Sequence, residues 1–307
     1  MSKNILVIGG TRYTGKLLVQ RLLAAGHSVT IATRGMTAEP FGARIRRIRV
    51  DRRDEAAMRA AFADADFDVV YDQMMYSPLD AAIAARVFAG RTRRYIVVST
   101  IEVYRGLLGQ QAPFAEEDLN LQRQGIDSAF PWHDPAHASA SYVAGKLQAE
   151  AYLYRDGTLP LVTVRSSHVL GGPEDFTGRL AYYVDAVRQR APLRYANAAA
   201  ATSFISAPCI SDFLAWVGNQ DFTGPVNAAC EGPLSAFDLL QRVGLLLGEP
   251  VRAVPAPLPV RCGELSPFDY PAPYWMDTSR ASELGYRFGH SDDWLDALIL
   301  KHDLAFV

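Results

Sequence analysis

An apolar strand that runs directly into a glycine-rich turn constrains this chain more than any other feature. Residues 5–8 read ILVI, residues 9–17 read GGTRYTGKL, and a helical pattern continues to Ala25, with Gly26 as a C-cap. A turn of this kind presents backbone N–H groups at a helix N-terminus, where they attract anions. The segment is therefore predicted to form a β–α unit that holds the phosphates of a nucleotide.

Two kinds of nucleotide-binding loop fit these letters. Residues 10–16 spell GxxxxGK, the opening of an ATP-binding P-loop, but a P-loop needs Ser or Thr next to hold Mg²⁺, and Leu17 stands there. Gly9 and Gly15 are the outer glycines of a dinucleotide pattern GxxGxxG whose middle glycine is replaced by Arg12. The dinucleotide interpretation is favoured, and it assigns cofactor binding to Gly9, Thr11, Arg12, Tyr13, Thr14 and Gly15.

Short apolar strands alternate with helical patterns through the first half of the chain. Strands are predicted at residues 5–8, 28–33, 47–50, 68–72, 94–99 and 161–164, and helices at 15–25, 54–62 (with Asp54 as N-cap) and 142–154. This alternation predicts an α/β fold with a doubly wound parallel sheet, the Rossmann arrangement. Beyond Gly171 the regularity weakens, with helices predicted near 179–190, 210–218, 235–247 and 291–301, and a proline-rich irregular stretch at 254–273.

These patterns predict a dinucleotide-binding domain over residues 1–170 and a smaller mixed C-terminal lobe for the substrate over residues 171–307, interleaved with the last strands of the sheet. A formal charge of −2 and a pI near 6.3 give no general attraction to nucleic acid or acidic membranes. No apolar segment is long enough for a signal peptide or a membrane span. Three cysteines without CxxC spacing predict reduced core residues and no metal site, and the expected location is the cytoplasm.

The second predicted strand ends where enzymes that use NAD carry an acidic residue for the ribose. Here that place is Thr33, followed by Arg34. The guanidinium groups of Arg12 and Arg34 can hold a ribose 2′-phosphate through paired hydrogen bonds. NADP is therefore the predicted cofactor and NAD the second choice, with a solvated turn arginine as the alternative for Arg34.

Hydroxyl and amine side chains follow the fifth strand. Tyr142 and Lys146, in SYVAGK, lie four residues apart and share one helix face, behind Ser141 as a possible helix cap. An ammonium and a positive nicotinamide ring both favour a phenolate, so Lys146 would make Tyr142 a proton donor and acceptor. Thr100, at the end of its strand, can hydrogen-bond the substrate oxygen that gains or loses the proton.

Taken together, several stretches resemble the extended short-chain dehydrogenase/reductases of the NAD-dependent epimerase/dehydratase type. They are the glycine loop, YVAGK, TSFISAPCISDFLAWV at 202–217, PVNAACEGPLSAFDLLQRVG at 225–244 and WMDTSRASELGYR at 275–287. The resemblance implies a Rossmann domain with a small substrate lobe and a catalytic set of Thr100, Tyr142 and Lys146. It also implies a homodimer through helices around 78–89 and 142–154.

Departures from the family pattern define further candidates. Arg12 replaces the middle glycine of the loop, and in this the sequence resembles an atypical subgroup that includes RNA-associated chloroplast relatives. Ser166 stands where the family usually has a proline. His168 takes a place that is often filled by an asparagine beside the nicotinamide. Residues 73–75 read QMM where the family has small residues, so the floor of the cofactor site is expected to be bulkier. The cofactor contacts implied beyond the loop are Arg34, Asp51, Arg52, Gln73, Met74, Ser99, Tyr142, Lys146, Ser166 and His168.

Glu102 lies two residues after Thr100. This spacing resembles that of the sugar-nucleotide 4,6-dehydratases, in which a glutamate two residues after the threonine abstracts a proton next to a transient ketone. It is a candidate catalytic base here, and the alternative is a loop glutamate that faces water. The predicted activity is NADP(H)-dependent hydride transfer at a carbinol or carbonyl carbon of a sugar-nucleotide-like or other small hydroxylated metabolite. Epimerase, dehydratase and ketone or aldehyde reductase versions remain open.

The alternative from another class is a non-catalytic or RNA-binding relative that keeps the fold. Residues 44–53 hold six arginines, which could form a basic stripe. Such a run is also typical of a solvated strand edge, and the near-neutral chain has no stacking-aromatic motif for nucleic acid. An intact Tyr142–Lys146 pair favours chemistry.

Overall fold

The computed structural model describes residues 2–38, 40–256 and 265–304. In chain order, the strands and helices are β1 (Asn4–Ile8), α1 (Tyr13–Ala24), β2 (Ser28–Thr33), β3 (Arg46–Arg49), α2 (Glu55–Ala61), β4 (Val69–Asp72), α3 (Pro78–Phe88), β5 (Tyr95–Thr100), α4 (Ala138–Asp156), β6 (Leu161–Ser166), β7 (His168–Leu170), α5 (Arg179–Arg188), β8 (Leu193–Tyr195), β9 (Phe204–Ser206), α6 (Ala207–Val217), β10 (Gly224–Ala228), α7 (Ala236–Leu247), β11 (Ala253–Pro255), α8 (Ser279–Glu283) and α9 (Leu295–Leu304).

Seven strands form one sheet in the order β10–β6–β5–β4–β1–β2–β3. Strand β1 pairs in parallel with β2 on one side and β4 on the other, and the β2–β3 and β4–β5 pairs are also parallel. The strand order reverses beside β1, and open α/β sheets bind ligands at the carboxyl ends of strands at such a switch point. The predicted doubly wound α/β fold is confirmed.

Two compact units share the chain. The first comprises Met1–Arg105, Glu116–Arg165 and Ile210–Val226, and the second comprises Gly106–Ala115, Ser166–Cys209 and Asn227–Val307. The assignment of the cofactor to residues 1–170 and of the substrate to residues 171–307 gives functions to parts of the chain, and it stays a prediction.

The core of the first unit joins one face of the sheet to helices α2, α3 and α4. Buried side chains from all three helices, among them Met58, Ala84 and Leu153, pack with strand residues such as Val70 and Val97. Helix α3 is buried along most of its length because alanines at four of its positions allow close packing. Helix α3 begins six residues after β4 ends, and the Lys146 side chain of α4 reaches the Val98 carbonyl of β5.

The second unit has a core of its own. Helices α5, α7 and α9 pack together through buried side chains that include Val184, Leu240 and Ile299. Two small parallel sheets, β7–β9 and β8–β11, accompany them. The predicted irregular stretch at 254–273 contains the end of β11, and its residues 257–264 lie outside the described part of the chain.

Helix boundaries follow from local capping, with one correction. Asp54 accepts a hydrogen bond from Ala57 N (3.0 Å) and caps α2 as predicted. The prediction that Ser141 caps α4 is wrong, because α4 begins at Ala138 and the Ser141 hydroxyl donates to the His137 carbonyl (2.8 Å) within the first turn. A preceding short turn, capped by Asp134, starts the helical backbone earlier than the sequence pattern indicates.

Candidate active site

The turn between β1 and α1 is shaped by glycines that tolerate no side chain. Gly9 and Gly10 have φ angles of +105° and +90°, a region that favours glycine. A Cβ on Gly15 would lie 2.8 Å from Gln73 Oε1 and 2.9 Å from Gly10 Cα. The helix therefore approaches the turn closely enough for backbone N–H groups to reach a pyrophosphate, and the residues present fit a dinucleotide.

The remaining loop residues surround this turn. Tyr13 begins α1 with φ +47°, an uncommon conformation for a bulky residue that is often found at functional sites. Thr11 and Thr14 are half-buried, and the Thr14 carbonyl accepts a hydrogen bond from Ser211 Oγ (3.1 Å). The Arg12 side chain is exposed where it can meet an anion.

Charged side chains at the ends of β2 and β3 differ in exposure. Arg34 is exposed, and its carbonyl accepts a hydrogen bond from Arg49 Nε (3.1 Å), which stabilises the turn. Asp51 is also exposed and accepts a hydrogen bond from the backbone of Arg53 (3.0 Å). The Arg34 guanidinium and the Asp51 carboxylate are thus accessible to a ligand at this edge of the first unit.

Arg52, by contrast, is buried in an ion-pair cluster. Its Nη2 lies 2.5 Å from Asp72 Oδ2 and its Nη1 lies 2.9 Å from Asp80 Oδ1, and Tyr95 Oη donates to Asp72 (2.9 Å). Burial opposes ionisation of Asp80, but the hydrogen bond from His133 and the charge of Arg52 hold the pKa of Asp80 well below its usual value. The Arg52 guanidinium is therefore committed to two carboxylates, and its predicted contact with the cofactor stays a prediction.

The floor beneath the glycine turn is bulky, as the letters QMM indicate. Met74 is 39% exposed, and its Cγ lies 3.4 Å from the position a Cβ on Gly9 would take. The Met74 amide donates to Asp72 Oδ1 (2.9 Å), and the Gln73 amide donates to the Ile8 carbonyl (3.1 Å). These bonds fix the chain that follows β4 against the end of β1.

Helix α4 carries the predicted acid–base pair. Lys146 is buried, and its Nζ donates to the Val98 carbonyl of β5 (2.8 Å) and lies 4.5 Å from the centroid of the Tyr76 ring. The half-buried Tyr142 places its ring 6.1 Å from the same Tyr76 ring. Burial lowers the pKa of Lys146 to about 8, although the charges of Asp72, Glu150 and Asp80 oppose this shift.

The hydroxyl groups at the end of β5 already have protein partners. Ser99 is buried and donates to a carboxylate oxygen of Glu150, while Thr100 Oγ1 accepts a hydrogen bond from Glu102 N (3.3 Å). Glu102 is ion-paired with Arg105, whose Nε lies 3.0 Å from Glu102 Oε2. A base role for Glu102 would therefore require release of the carboxylate from Arg105.

A buried ion pair beside this site was missed by the sequence reasoning. Arg165 and Glu150 are almost fully buried, with Arg165 Nη2 2.8 Å from Glu150 Oε2. Arg165 Nη1 also donates to Tyr104 Oη (2.8 Å) and to the Glu116 carbonyl (3.0 Å). Two signals were available: a glutamate four residues after Lys146 on the same helix, and an arginine within the apolar strand LVTVRS, where a charge needs a partner.

The two predicted cofactor contacts of the second unit lie in its interior. His168 is buried, its Nε2 is 2.9 Å from Tyr270 Oη, and its ring packs with Phe204 and Phe268. The Ser166 hydroxyl donates to the Ser167 carbonyl (3.1 Å). The predicted contacts of both side chains with the cofactor stay predictions.

Among the described residues, no group of three His, Cys, Asp or Glu side chains could hold a metal ion. Cys209 and Cys230 are not joined by a disulfide, their sulfur atoms lie 3.9 Å apart, and Cys262 is outside the described residues. None of the described helices has both the length and the apolar character needed to cross a bilayer.

Comparison with known proteins places this fold in a family. The sequence model of the NAD dependent epimerase/dehydratase family matches residues 5–202 of this chain. The chain belongs to this family. Membership confirms the resemblance seen in the sequence motifs and identifies the chain as an NAD(P)-dependent enzyme of the short-chain dehydrogenase/reductase type.

The similar proteins have names that report different activities or ligands. The 2′-dehydrokanamycin reductase of Streptomyces kanamyceticus is 27% identical over 262 residues, which span 82% of this chain and 69% of the relative. The chloroplast stem-loop binding protein of 41 kDa b from Arabidopsis thaliana is 30% identical over 134 residues, 38% of this chain and only 33% of that protein. The Bordetella bronchiseptica enzyme WbmG, solved with NAD and UDP, has the same fold, with a TM-score of 0.71, 18% identity and coverage of 99% and 96%.

The lowered pKa of Lys146 predicts a pH-dependent cost to the fold of the cofactor-free enzyme. The pKa is about 8 in the folded chain and 10.5 ordinarily, so the unfolded chain binds more protons between these values and stability rises with pH there. Lys146→Met should therefore raise the free energy of unfolding at pH 7 by about 1–2 kcal/mol. This is the cost of burying the ammonium, which the variant no longer bears, minus the contribution of the hydrogen bond to Val98, which it loses. The advantage should shrink at pH 10. Urea denaturation at both pH values measures it, and an equal difference at both would contradict the assignment.

Proposed function

We propose that this family member is an NADP(H)-dependent oxidoreductase in which Tyr142 transfers the proton of the substrate oxygen. The observation that carries the proposal is the buried Lys146, which is anchored to the end of β5 and shares a helix and an aromatic neighbour with Tyr142. A lysine with a pKa of about 8 remains largely protonated at neutral pH, so it favours the phenolate of a nearby tyrosine.

Each part of the site has a role in this proposal. The nicotinamide, when bound, would accept a hydride from a carbinol carbon or supply one to a carbonyl carbon. Gly9, Gly10 and Gly15 leave room for the pyrophosphate, Tyr142 holds or releases the proton at the substrate oxygen, and Thr100 orients that oxygen. Because Glu102 is paired with Arg105, the geometry favours the reductase and epimerase versions, which need no second base.

The substrate class follows from the same chemistry. We propose a small hydroxylated metabolite, sugar-nucleotide-like or a free polyhydroxylated ring. Support comes from a relative named as a reductase of 2′-dehydrokanamycin and from a structural neighbour solved with NAD and UDP. The full ultraviolet spectrum of the purified enzyme, which detects both the oxidised and the reduced cofactor, and its fluorescence change on added NADPH separate the versions. Cofactor that stays bound through purification indicates internal recycling, and exchangeable NADPH indicates a reductase.

The preference for NADP is tested by removing one arginine. Arg34→Ala should weaken NADPH binding about 10-fold or more and NADH binding little, because only NADPH carries the 2′-phosphate that a guanidinium holds by paired, charge-assisted hydrogen bonds. Fluorescence titration of both cofactors measures the effect. Arg46→Ala, an exposed arginine on the edge strand β3, is the matched control and should change neither affinity. Equal losses for NADH and NADPH in Arg34→Ala would contradict the preference.

A homodimer through α3 and α4 belongs to the same proposal, as does a cytoplasmic location. Light scattering on the purified chain measures the oligomeric state. A mass that corresponds to a single chain would contradict the homodimer.

The RNA-binding alternative is favoured by one observation, the partial match to the chloroplast stem-loop binding protein. Five of the six arginines at 44–53 are exposed on or beside β3, whereas Arg52 is buried in ion pairs. A stem-loop RNA titrated at 50 and 200 mM salt would reveal binding through this edge by a steep loss of affinity with salt.

A further inference from the structure

Tyr76, in the loop between β4 and α3, lies against both members of the predicted acid–base pair. The Lys146 Nζ is 4.5 Å from its ring centroid, and the Tyr142 ring is 6.1 Å away. Gly145 explains the close approach of α4 at this point, because a Cβ on Gly145 would lie only 2.1 Å from the Tyr76 carbonyl oxygen. The glycine of YVAGK thus lets α4 press directly on the backbone at Tyr76.

Buried polar contacts hold Tyr76 in this position. Its amide donates to Asp80 Oδ2 (2.9 Å), and the other oxygen of the Asp80 carboxylate lies 2.9 Å from Arg52 Nη1 and 3.2 Å from His133 Nε2. Ser77 Oγ accepts a hydrogen bond from Asp80 N (3.1 Å) and caps α3. A carboxylate with this many partners has little freedom to move, so the loop that carries Tyr76 is fixed.

The phenol of Tyr76 is held in its neutral form. Burial, followed by the charges of Tyr142, Asp72 and Asp80, raises the pKa of Tyr76 to about 12. The side chain is therefore neutral at physiological pH, and the surface it offers Lys146 is the ring. An ammonium over an aromatic ring is stabilised relative to the neutral amine, more strongly where water is excluded.

We propose that Tyr76 is a positioning residue for the acid–base pair: its ring stabilises the Lys146 ammonium in the buried site, and Asp80, held by Arg52 and His133, keeps the ring in place. Its consequence for catalysis rests on the proposed function, whereas its effect on the charge of Lys146 does not. The other charges near Lys146 come from Asp72 on β4, Glu150 on α4, Asp80 on α3 and the opposing Arg52. None of these is altered by changing Tyr76.

The test exploits the small number of lysines, which are residues 3, 16, 146 and 301. Protein labelled with ¹³C at the lysine Cε gives four signals by NMR, and loss of one in Lys146→Met assigns Lys146. In Tyr76→Leu the pKa of Lys146 should fall by about 1 unit, because the ring no longer favours the charged form. Tyr76→Phe keeps the ring and should leave that pKa unchanged, and the other three lysines serve as internal references.

An unchanged or higher pKa of Lys146 in Tyr76→Leu would overturn the proposal, as would an equal fall in Tyr76→Phe. If Tyr76→Leu does not fold, Tyr76→Met, with an adaptable chain of similar length, replaces it and must show the same fall. The pH profile of NADPH-dependent turnover should shift in Tyr76→Leu but not in Tyr76→Phe. A shifted lysine pKa without any Tyr142-dependent turnover would contradict the proposed function and leave the inference on Tyr76 standing.

Discussion

Replacing Tyr142 with phenylalanine is expected to lower turnover by about 10²–10⁴-fold, the usual contribution of a positioned acid or base. The phenylalanine ring keeps the packing beside Tyr76 but cannot donate or accept the proton of the substrate oxygen. Binding of NADPH should be unchanged, because the glycine turn that fits the pyrophosphate is not touched. Turnover is measured by NADPH absorbance on a panel of ketones and oxidised sugar derivatives.

A matched control lies on the same helix. Tyr152 is half-buried and packs against the core of the first unit, so Tyr152→Phe should retain wild-type turnover. Full activity of Tyr142→Phe on a substrate that the wild type converts would remove the assigned role. A parallel loss in both variants would point to damage of α4 rather than to lost proton transfer.

Replacing Glu150 with glutamine is expected to lower the free energy of unfolding by about 3–5 kcal/mol, because it leaves the buried charge of Arg165 without its counter-ion. Both side chains are almost fully excluded from water, and the Glu150 carboxylate also accepts hydrogen bonds from Ser99 and Thr163. Glutamine keeps the shape and part of the hydrogen bonding, so the loss reports mainly on charge. Urea denaturation at pH 7 measures it.

We expect the large loss of stability in Glu150→Gln because the Arg165–Glu150 ion pair is buried, and two control variants test this cause. Glu55 forms ion pairs with Arg59 and Arg86 at the surface, and Glu55→Gln should cost less than about 1 kcal/mol. The double variant Glu150→Leu with Arg165→Met removes both buried charges and should recover most of the lost stability. A double variant less stable than Glu150→Gln would show that the hydrogen bonds to Tyr104 and Ser99, not the charge pair, dominate.

Local sequence signals predicted the elements that carry the site. The strand at 5–8, the glycine turn, the Asp54 cap and the helix that contains Tyr142 and Lys146 each depend on residues within about one or two helical turns of each other. The start of α4 was misplaced because a short turn ahead of it, capped by Asp134, extends the helical backbone. The small strands β7, β8, β9 and β11 are only three residues long, too short to show a period.

By itself, the sequence determined the order of the strands up to β6, the glycine turn and the four-residue spacing of Tyr142 and Lys146, because backbone conformation and helix periodicity act between near neighbours. Only the tertiary structure decided which charges are buried and what they meet. Arg52 reaches Asp72 and Asp80, Arg165 reaches Glu150, and the Tyr76 ring reaches Lys146. The physical reason is that the free energy of a buried charge depends on partners that strand order and helix packing bring together from distant parts of the chain.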